Sequence, residues 1–253
     1  MFYMLILTIL ASLSKNRIAG QMNISIEFEK ELAAKEAVKL LFDGQTVGLG
    51  SGSTAGYAIR EIGKLVKNGL EIRAIPTSDH TRDLATSLAI PLVDINKVDT
   101  IDITVDGADE FDPSLNLIKG GGGALLREKI VASMTTDLII IVDSAKKVDV
   151  LGAFKLPIEV IPFATNFVLK RISKLNGDGI VRRTGTTEYL TDEGNYIIDT
   201  NFGLIKDPSS LAAELNGIEG LVGHGLFVQM AKKVIMGVGR TTKTFEPNSM
   251  VRT

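Results

Sequence analysis

Along most of the chain, stretches with apolar residues at helical spacing alternate with short apolar runs bounded by turn residues. From Phe28 to Phe42, FEKELAAKEAVKLLF puts apolar positions on one helical face and charges on the other. Asp43-Gly44 stops this helix, and TVGLG follows as a short strand. Gly50-Ser51-Gly52-Ser53-Thr54 then forms a tight loop that opens a second helix, AGYAIREIGKLV. A strand over 72–75, a break at Pro76 and a helix over 81–88 come next. Short strands around Leu92 and over 101–105 are expected to continue the sheet. After the LNLIK strand and its helix comes DLIIIVD, nearly continuous in apolar character, as strands buried on both faces are. Strands alternating with helices through short turns predict a mostly parallel sheet with helical cover.

The pattern changes near Leu156-Pro157. PIEVIPFATNFVLKRISKL gives a strand and a helix, followed by short strands over 180–183, 187–191 and 196–200. A helix over 209–215 and a strand near Gly220 complete the unit, and the VIMGVG strand returns to the main sheet. The fold class is therefore α/β. A Rossmann-like sheet with helices on both faces carries a small α+β, ferredoxin-like domain inserted before the C-terminal strand. The main domain spans 22–156 and 226–253, and the small one 157–225. The first residues, MFYMLILTILASLS, are too short to span a bilayer comfortably and lack the basic flank of a secretory signal. Residues 1–21 read as an upstream extension with Met22 as an alternative start; a membrane-tethered form would change location and not chemistry.

Composition narrows the chemistry. With 253 residues and a formal net charge of -2, the chain offers no broad attraction to nucleic acid or anionic membrane. It has no cysteine, which excludes disulfides, thiol nucleophiles and cysteine-ligated metals. Two histidines, His80 and His224, argue against a multi-histidine metal site. Charged chemistry must rest on Asp, Glu, Lys and Arg.

Those residues converge in ITVDGADEFDPSLNLIKGGGGALLREK. Asp106 and Asp109 close one strand and its turn, Lys119 closes the next, and Glu128 sits early on the following helix. Strand ends are where open α/β sheets place their active sites. Each piece has a plain alternative. Asp106 and Asp109 suit a turn with Asx hydrogen bonds. Glu128 could be a surface residue between Arg127 and Lys129. The run Gly120-Gly121-Gly122-Gly123 is harder to dismiss, since each glycine costs about 0.5–1 kcal/mol relative to alanine in regular structure. A ligand or another backbone passing close would account for it. GLGSGST could cradle a phosphate through exposed amides, the hydroxyls of Ser51, Ser53 and Thr54, and a helix dipole. It could equally be a plain strand-to-helix turn. It lacks the GK[ST] of a Walker A loop and fits the G-x-G-x-x-A dinucleotide pattern without a convincing acidic partner.

Taken together, GLGSGSTAGYAI, VDGADE, IKGGGGALLREKI, IVDSAKKVDVLGAFKLPIEVIPFA and GLFVQMA resemble, in order and spacing, ribose-5-phosphate isomerase of the A type from about Phe28 onwards. The resemblance implies aldose–ketose interconversion of ribose 5-phosphate and ribulose 5-phosphate through a cis-enediolate, in the non-oxidative pentose phosphate pathway. It implies Glu128 as the base at carbon. Asp106 would move the proton between O1 and O2 and assist ring opening. Lys119 would stabilise the enediolate oxygen with amides of Gly120, Gly121 and Gly122, and Asp109 would orient Lys119 or a sugar hydroxyl. Ser51, Gly52, Ser53 and Thr54 would hold the phosphate, with Lys35 and Lys146 supplying charge. No metal or other cofactor is implied. A cytoplasmic homodimer, in some members a tetramer, is.

Three other readings compete. A non-catalytic sugar-phosphate-binding regulatory domain should carry a helix-turn-helix and a basic patch, which the N-terminal segment does not supply. An amino-sugar phosphate deaminase should bring a histidine-containing catalytic motif. A coenzyme A transferase would use a glutamate nucleophile, which Glu128 alone does not exclude. His224, near the end of the small domain, reads as a structural or interface residue.

Overall fold

A computed structural model describes residues 26–247; the expectations for residues 1–21 and Met22 lie outside the described residues. The first helix, α1, covers 26–37 and runs into a 3-10 turn at Val38–Leu40. The main sheet contains β1 (Thr46–Leu49), β2 (Arg73–Pro76), β3 (Ile101–Asp106), β6 (Thr135–Val142), β14 (Lys233–Val238) and β15 (Thr241–Phe245). Its order is β15-β14-β6-β3-β1-β2, parallel except for the edge strand β15. Helices α2 (Gly52–Lys67), α3 (Asp79–Ser87) and α4 (Leu125–Ser133) complete this layer.

Strand alternation explains the two apolar layers. On β6, Ile139 and Ile141 pack with Ala33, Ala37, Ile59, Ile62 and Ala85 from α1, α2 and α3. The intervening Leu138, Ile140 and Val142 face the opposite core, with Phe111, Leu117, Ala132 and Phe227. DLIIIVD is apolar throughout because both of its faces are covered.

The chain leaves β1 toward β2 on one side and pairs with β3 on the other, so the strand order reverses between β1 and β3. Loops leaving the carboxyl ends of strands at such a reversal bound a crevice. Here they are Gly50–Ser51 and Asp106–Gly107, joined where Gly50 N–H donates to the Val105 carbonyl at 3.0 Å. Gly50 has no side chain at the point where a Cβ would lie 2.1 Å from Asp106 Oδ1.

Two details depart from the sequence reading. Around Leu92 there is only an isolated bridge to Ala74, not a strand. LNLIK does not join the main sheet. Its β5 (Leu117–Ile118) pairs antiparallel with β4 (Glu110–Phe111) and β13 (Leu226–Phe227) in a separate three-stranded sheet. A two-residue strand between turns can pair either way, and its local period does not choose.

From Leu156 to His224 the chain forms β7 (Leu156–Val160), α5 (Thr165–Lys174), β8 (Asp178–Val181), β11 (Tyr196–Asn201), α6 (Pro208–Asn216) and β12 (Leu221–His224). The short strands β9 (Arg183–Thr184) and β10 (Thr187–Glu188) form a hairpin between β8 and β11. The four longer strands are antiparallel in the order β12-β7-β11-β8, a βαββαβ ferredoxin-like unit. Val168, Ile172 and Leu215 of its helices pack on Ile158, Val160 and Ile198.

Candidate active site

Lys119 leaves the end of β5 and is 2% exposed. Its backbone N–H donates to the Gly225 carbonyl, which anchors it to the junction between β12 and β13. Its ammonium lies 2.9 Å from Asp106 Oδ2, 3.1 Å from Glu128 Oε1 and 2.6 Å from the Gly107 carbonyl. Three acceptors thus take up its three hydrogens. Burial opposes the charge, but the carboxylates of Asp106 and Glu128 outweigh it and hold the pKa above the ordinary lysine range.

Glu128 sits one turn into α4, equally enclosed. Burial is the largest influence on its carboxyl and, together with the charge of Asp106 and against that of Lys119, pushes the pKa up to about 8. One oxygen meets Lys119 while Oε2 is buried without a hydrogen-bond partner, although Glu128 lines the cleft. A carboxylate with a raised pKa and an oxygen without a hydrogen-bond partner, on a residue that lines a cleft, is equipped to accept a proton.

The cleft is about 460 Å³, within the usual range for small ligands. One wall is the loop from Ser51 to Thr54, the other the glycine run from Gly120 to Gly123, with Lys119 and Glu128 at the base. Ser53 Oγ accepts from Lys30 Nζ at 3.1 Å, which brings a cation from α1 to the N-terminus of α2. Lys146, in the 3-10 turn after β6, also lines the cleft. Among the described residues no group of three or more His, Asp or Glu is arranged to hold a metal ion.

Residues 73–240 match the family model of ribose 5-phosphate isomerase A (phosphoriboisomerase A). The chain belongs to the ribose 5-phosphate isomerase A family. Ribose-5-phosphate isomerase A of Sphingopyxis alaskensis is 48% identical over 211 residues, which cover 83% of this chain and 92% of that protein. A solved D-ribose-5-phosphate isomerase in complex with phospho-erythronic acid has a TM-score of 0.85 and 41% identity, over 87% of this chain and 99% of its own. Ribose 5-phosphate isomerase A of Methanocaldococcus jannaschii has a TM-score of 0.82 and 41% identity, covering 86% and 97%.

Within this family member, Ser51, Gly52, Ser53, Thr54, Asp109, Lys119, Gly120, Gly121, Gly122, Glu128 and Lys146 all border the one cleft. Lys35, Asp106 and Asp109 are placed differently from the simplest expectation, and for Asp109 the sugar hydroxyl remains as the group to orient. Lys35 is not at the cleft: it is exposed and pairs with Glu31 at 2.6 Å. Five residues of helix turn it about 140° from Lys30, which does line the cleft. Asp106 is buried behind the lining, where Oδ1 accepts from Ser51 N–H and Gly107 N–H and Oδ2 meets Lys119. Asp109 does not contact Lys119; its Oδ2 accepts from Gly121 N–H at 2.8 Å.

Sequence reading also missed Lys30, Ser78, His80, Tyr189 and Asp192, which border the same space. Tyr189 and Asp192 come from the small domain, and no local pattern announces a contact across some seventy residues of chain. Ser51 is more committed than expected. Its hydroxyl lies 2.8 Å from those of Thr77 and Ser78 and 3.2 Å from that of Thr81, a network that ties the loop to the start of α3.

Proposed function

We propose that this chain interconverts D-ribose 5-phosphate and D-ribulose 5-phosphate, with Glu128 carrying the proton between C1 and C2 of the open-chain sugar. The observation that carries the assignment is the pairing of Lys119 with a buried, cleft-lining Glu128 whose second oxygen has no hydrogen-bond partner. An aldose–ketose isomerase needs a base over carbon and a positive charge where the enediolate oxygen develops.

Charge bookkeeping links the two. While Glu128 is anionic, it holds one ammonium hydrogen of Lys119. As it takes the carbon proton it becomes neutral and that bond weakens, which releases an N–H of Lys119 to the oxyanion forming on the substrate. Asp106 stays on the far side of Lys119 and keeps the ammonium in place. Asp109 lines the cleft where Asp106 does not, so we assign to Asp109 the proton traffic at the sugar oxygens and ring opening. The phosphate is held by Ser53, Thr54 and the amides at the start of α2, with Lys30 and Lys146 opposing its charge.

The same reading carries a cytoplasmic homodimer. Phe163 is 99% exposed beside the partly exposed Phe167 and Ile161, an apolar patch that suits a protein partner. Dianionic sugar phosphates do not cross bilayers, so the enzyme works where they are made.

The test is NMR of ribose 5-phosphate with the protein and a metal chelator in heavy water. Ribulose 5-phosphate carrying deuterium at C1 is expected. Saturable binding with neither conversion nor exchange would leave a sugar-phosphate sensor instead.

A further inference from the structure

We propose that Arg182, in the small domain, is a positioning residue for the isomerisation, setting the Gly121 and Gly122 amides and through them Asp109. This rests on the isomerase reading and adds a partner that acts from outside the cleft.

Arg182 lies between β8 and β9, and all three of its guanidinium nitrogens donate hydrogen bonds. Nε and Nη2 grip the two carboxylate oxygens of Asp199 on β11 at 2.9 and 2.5 Å, a bidentate fork that fixes the plane of the group. Nη1 then donates to two consecutive carbonyls, Gly120 at 3.2 Å and Gly121 at 3.1 Å. Tyr189 backs the arrangement, its ring 5.7 Å from the guanidinium carbon and its hydroxyl 3.4 Å from the Gly122 carbonyl.

Across a planar trans peptide the N–H points opposite to the C=O. With the Gly120 carbonyl turned to Arg182, the Gly121 N–H faces the other way, and there it meets Asp109 Oδ2 at 2.8 Å. With the Gly121 carbonyl also turned to Arg182, the Gly122 N–H faces the side of the cleft that Gly122 lines. No backbone acceptor among the described residues takes that N–H. Two successive amides facing one way form an anion-binding nest. A cation at their carbonyl ends polarises both peptides so that the N–H ends become more positive.

The glycine run fits this arrangement. Gly120 has φ +101°, a conformation side chains rarely adopt, and a Cβ at Gly121 would lie 2.6 Å from Asp109 Oδ1. Gly122 would meet nothing within 4 Å, so its lack of a side chain leaves the amide open to a substrate oxygen. Lysine cannot reproduce the fork at this position, because one ammonium cannot satisfy Asp199 and two carbonyls in that plane.

The experiment compares wild type, Arg182→Met and Arg182→Lys in ribose 5-phosphate turnover, with inhibition by phospho-erythronic acid and by inorganic phosphate. Phospho-erythronic acid presents a carboxylate where the reaction presents enediolate oxygens, whereas inorganic phosphate probes only the cradle. Both variants are expected to lose about tenfold to a hundredfold in kcat and a similar factor in phospho-erythronic acid affinity. KM and phosphate inhibition should stay within about threefold. A folded Arg182→Lys with kcat within about threefold of wild type would overturn the proposal, even if Arg182→Met does not fold. Equal losses in turnover and phosphate inhibition would also overturn it, as general damage to the cleft. A wild type that binds phosphate without converting the sugar would remove the isomerase reading and this inference together; a converting wild type with an indifferent Arg182 removes only the inference.

Discussion

Glu128 shows what enclosure does to a single carboxyl group. In water it would ionise near 4.5, but here its pKa is pushed up to about 8. A base must be unprotonated to act, so kcat/KM should fall as pH drops below about 8, roughly tenfold per unit. A pH–rate profile of the free enzyme checks this; a midpoint near 4.5 would mean that Glu128 is not the enclosed base. Glu128→Gln should cut kcat by roughly 10²–10⁴ with little change in KM, because the amide keeps the shape but accepts no proton. Lys119 is harder to test. Removing it strands Asp106 and Glu128 as buried carboxylates without their cation, at a folding cost of about 3–5 kcal/mol. Any Lys119→Met rate loss therefore needs an unfolding curve beside it. Residue types and their order made Glu128, Lys119 and the aspartates legible in sequence. The division between Asp106 and Asp109 was not, since three residues around a turn decide which one faces the cleft. Nor was the choice of Lys30 over Lys35, because both sit on the polar part of one amphipathic helix.

Helix α4 distributes three consecutive charges in three directions, as 100° per residue requires. Arg127 turns outward to Asp79 and Glu193, Glu128 inward to Lys119, and Lys129 toward the junction of β12 and β13. In sequence, Glu128 by itself could pass for a surface residue between Arg127 and Lys129, and only the run of motifs around it singles it out; which turn of the helix is buried depends on elements about a hundred residues downstream. Lys129 donates to the Leu226 carbonyl at 2.8 Å and lies 3.2 Å from His224 Nδ1 and 4.9 Å from the Phe227 ring centre, and pairs with no carboxylate among the described residues. Burial pushes its pKa down from 10.5 to about 7. His224, buried and next to Lys129, is pushed down to about 3, so it is neutral throughout the alkaline range. The sign follows from linkage. Between about pH 7 and 10.5 the unfolded chain binds this proton and the folded one does not, so the Lys129 contribution to stability rises with pH across that window. Glu128 works in the opposite direction up to about 8, but equally in wild type and in Lys129→Met. Urea unfolding at several pH values from 7 to 10 should show Lys129→Met gaining on wild type most at pH 7 and converging as pH rises. A difference independent of pH would mean that the lysine stays charged in the fold.

At the scale of the whole molecule, the site exists because two units meet over it. The parallel sheet, its helical layers and the inserted α+β unit followed from local periods, since each element has to bury its own apolar stripe. The polar contacts that join them did not, because they are made by single side chains that no periodicity marks, beside an apolar seam in which Ile118 and Leu151 pack with the core of the small unit. Two arginines make much of that connection. Arg182 reaches from the small domain to the glycine run. Arg127 reaches the other way, from α4 to Glu193 and Asp192 of the turn before β11, and also holds Asp79 at the start of α3. Asp192 accepts from Asp79 N–H at 2.8 Å, so the small-domain turn is tied to both helices that flank the cleft. The Arg127 cluster is partly exposed, and ion pairs of that kind add little to global stability. Arg127→Ala should therefore lower Tm by no more than about 2–4 °C. Its main effect should be local, because the turn holding Tyr189 and Asp192 loses its cation while the core of the small domain is untouched. Hydrogen exchange should speed up over 187–195 and stay unchanged in β6, and KM for ribose 5-phosphate should rise more than kcat falls, since these residues form a wall of the cleft and not its reacting base. Uniform exchange across both units would show that Arg127 supports the fold as a whole. Unchanged exchange over 187–195 would mean that the pairing of Asp192 with α3 holds the turn without it.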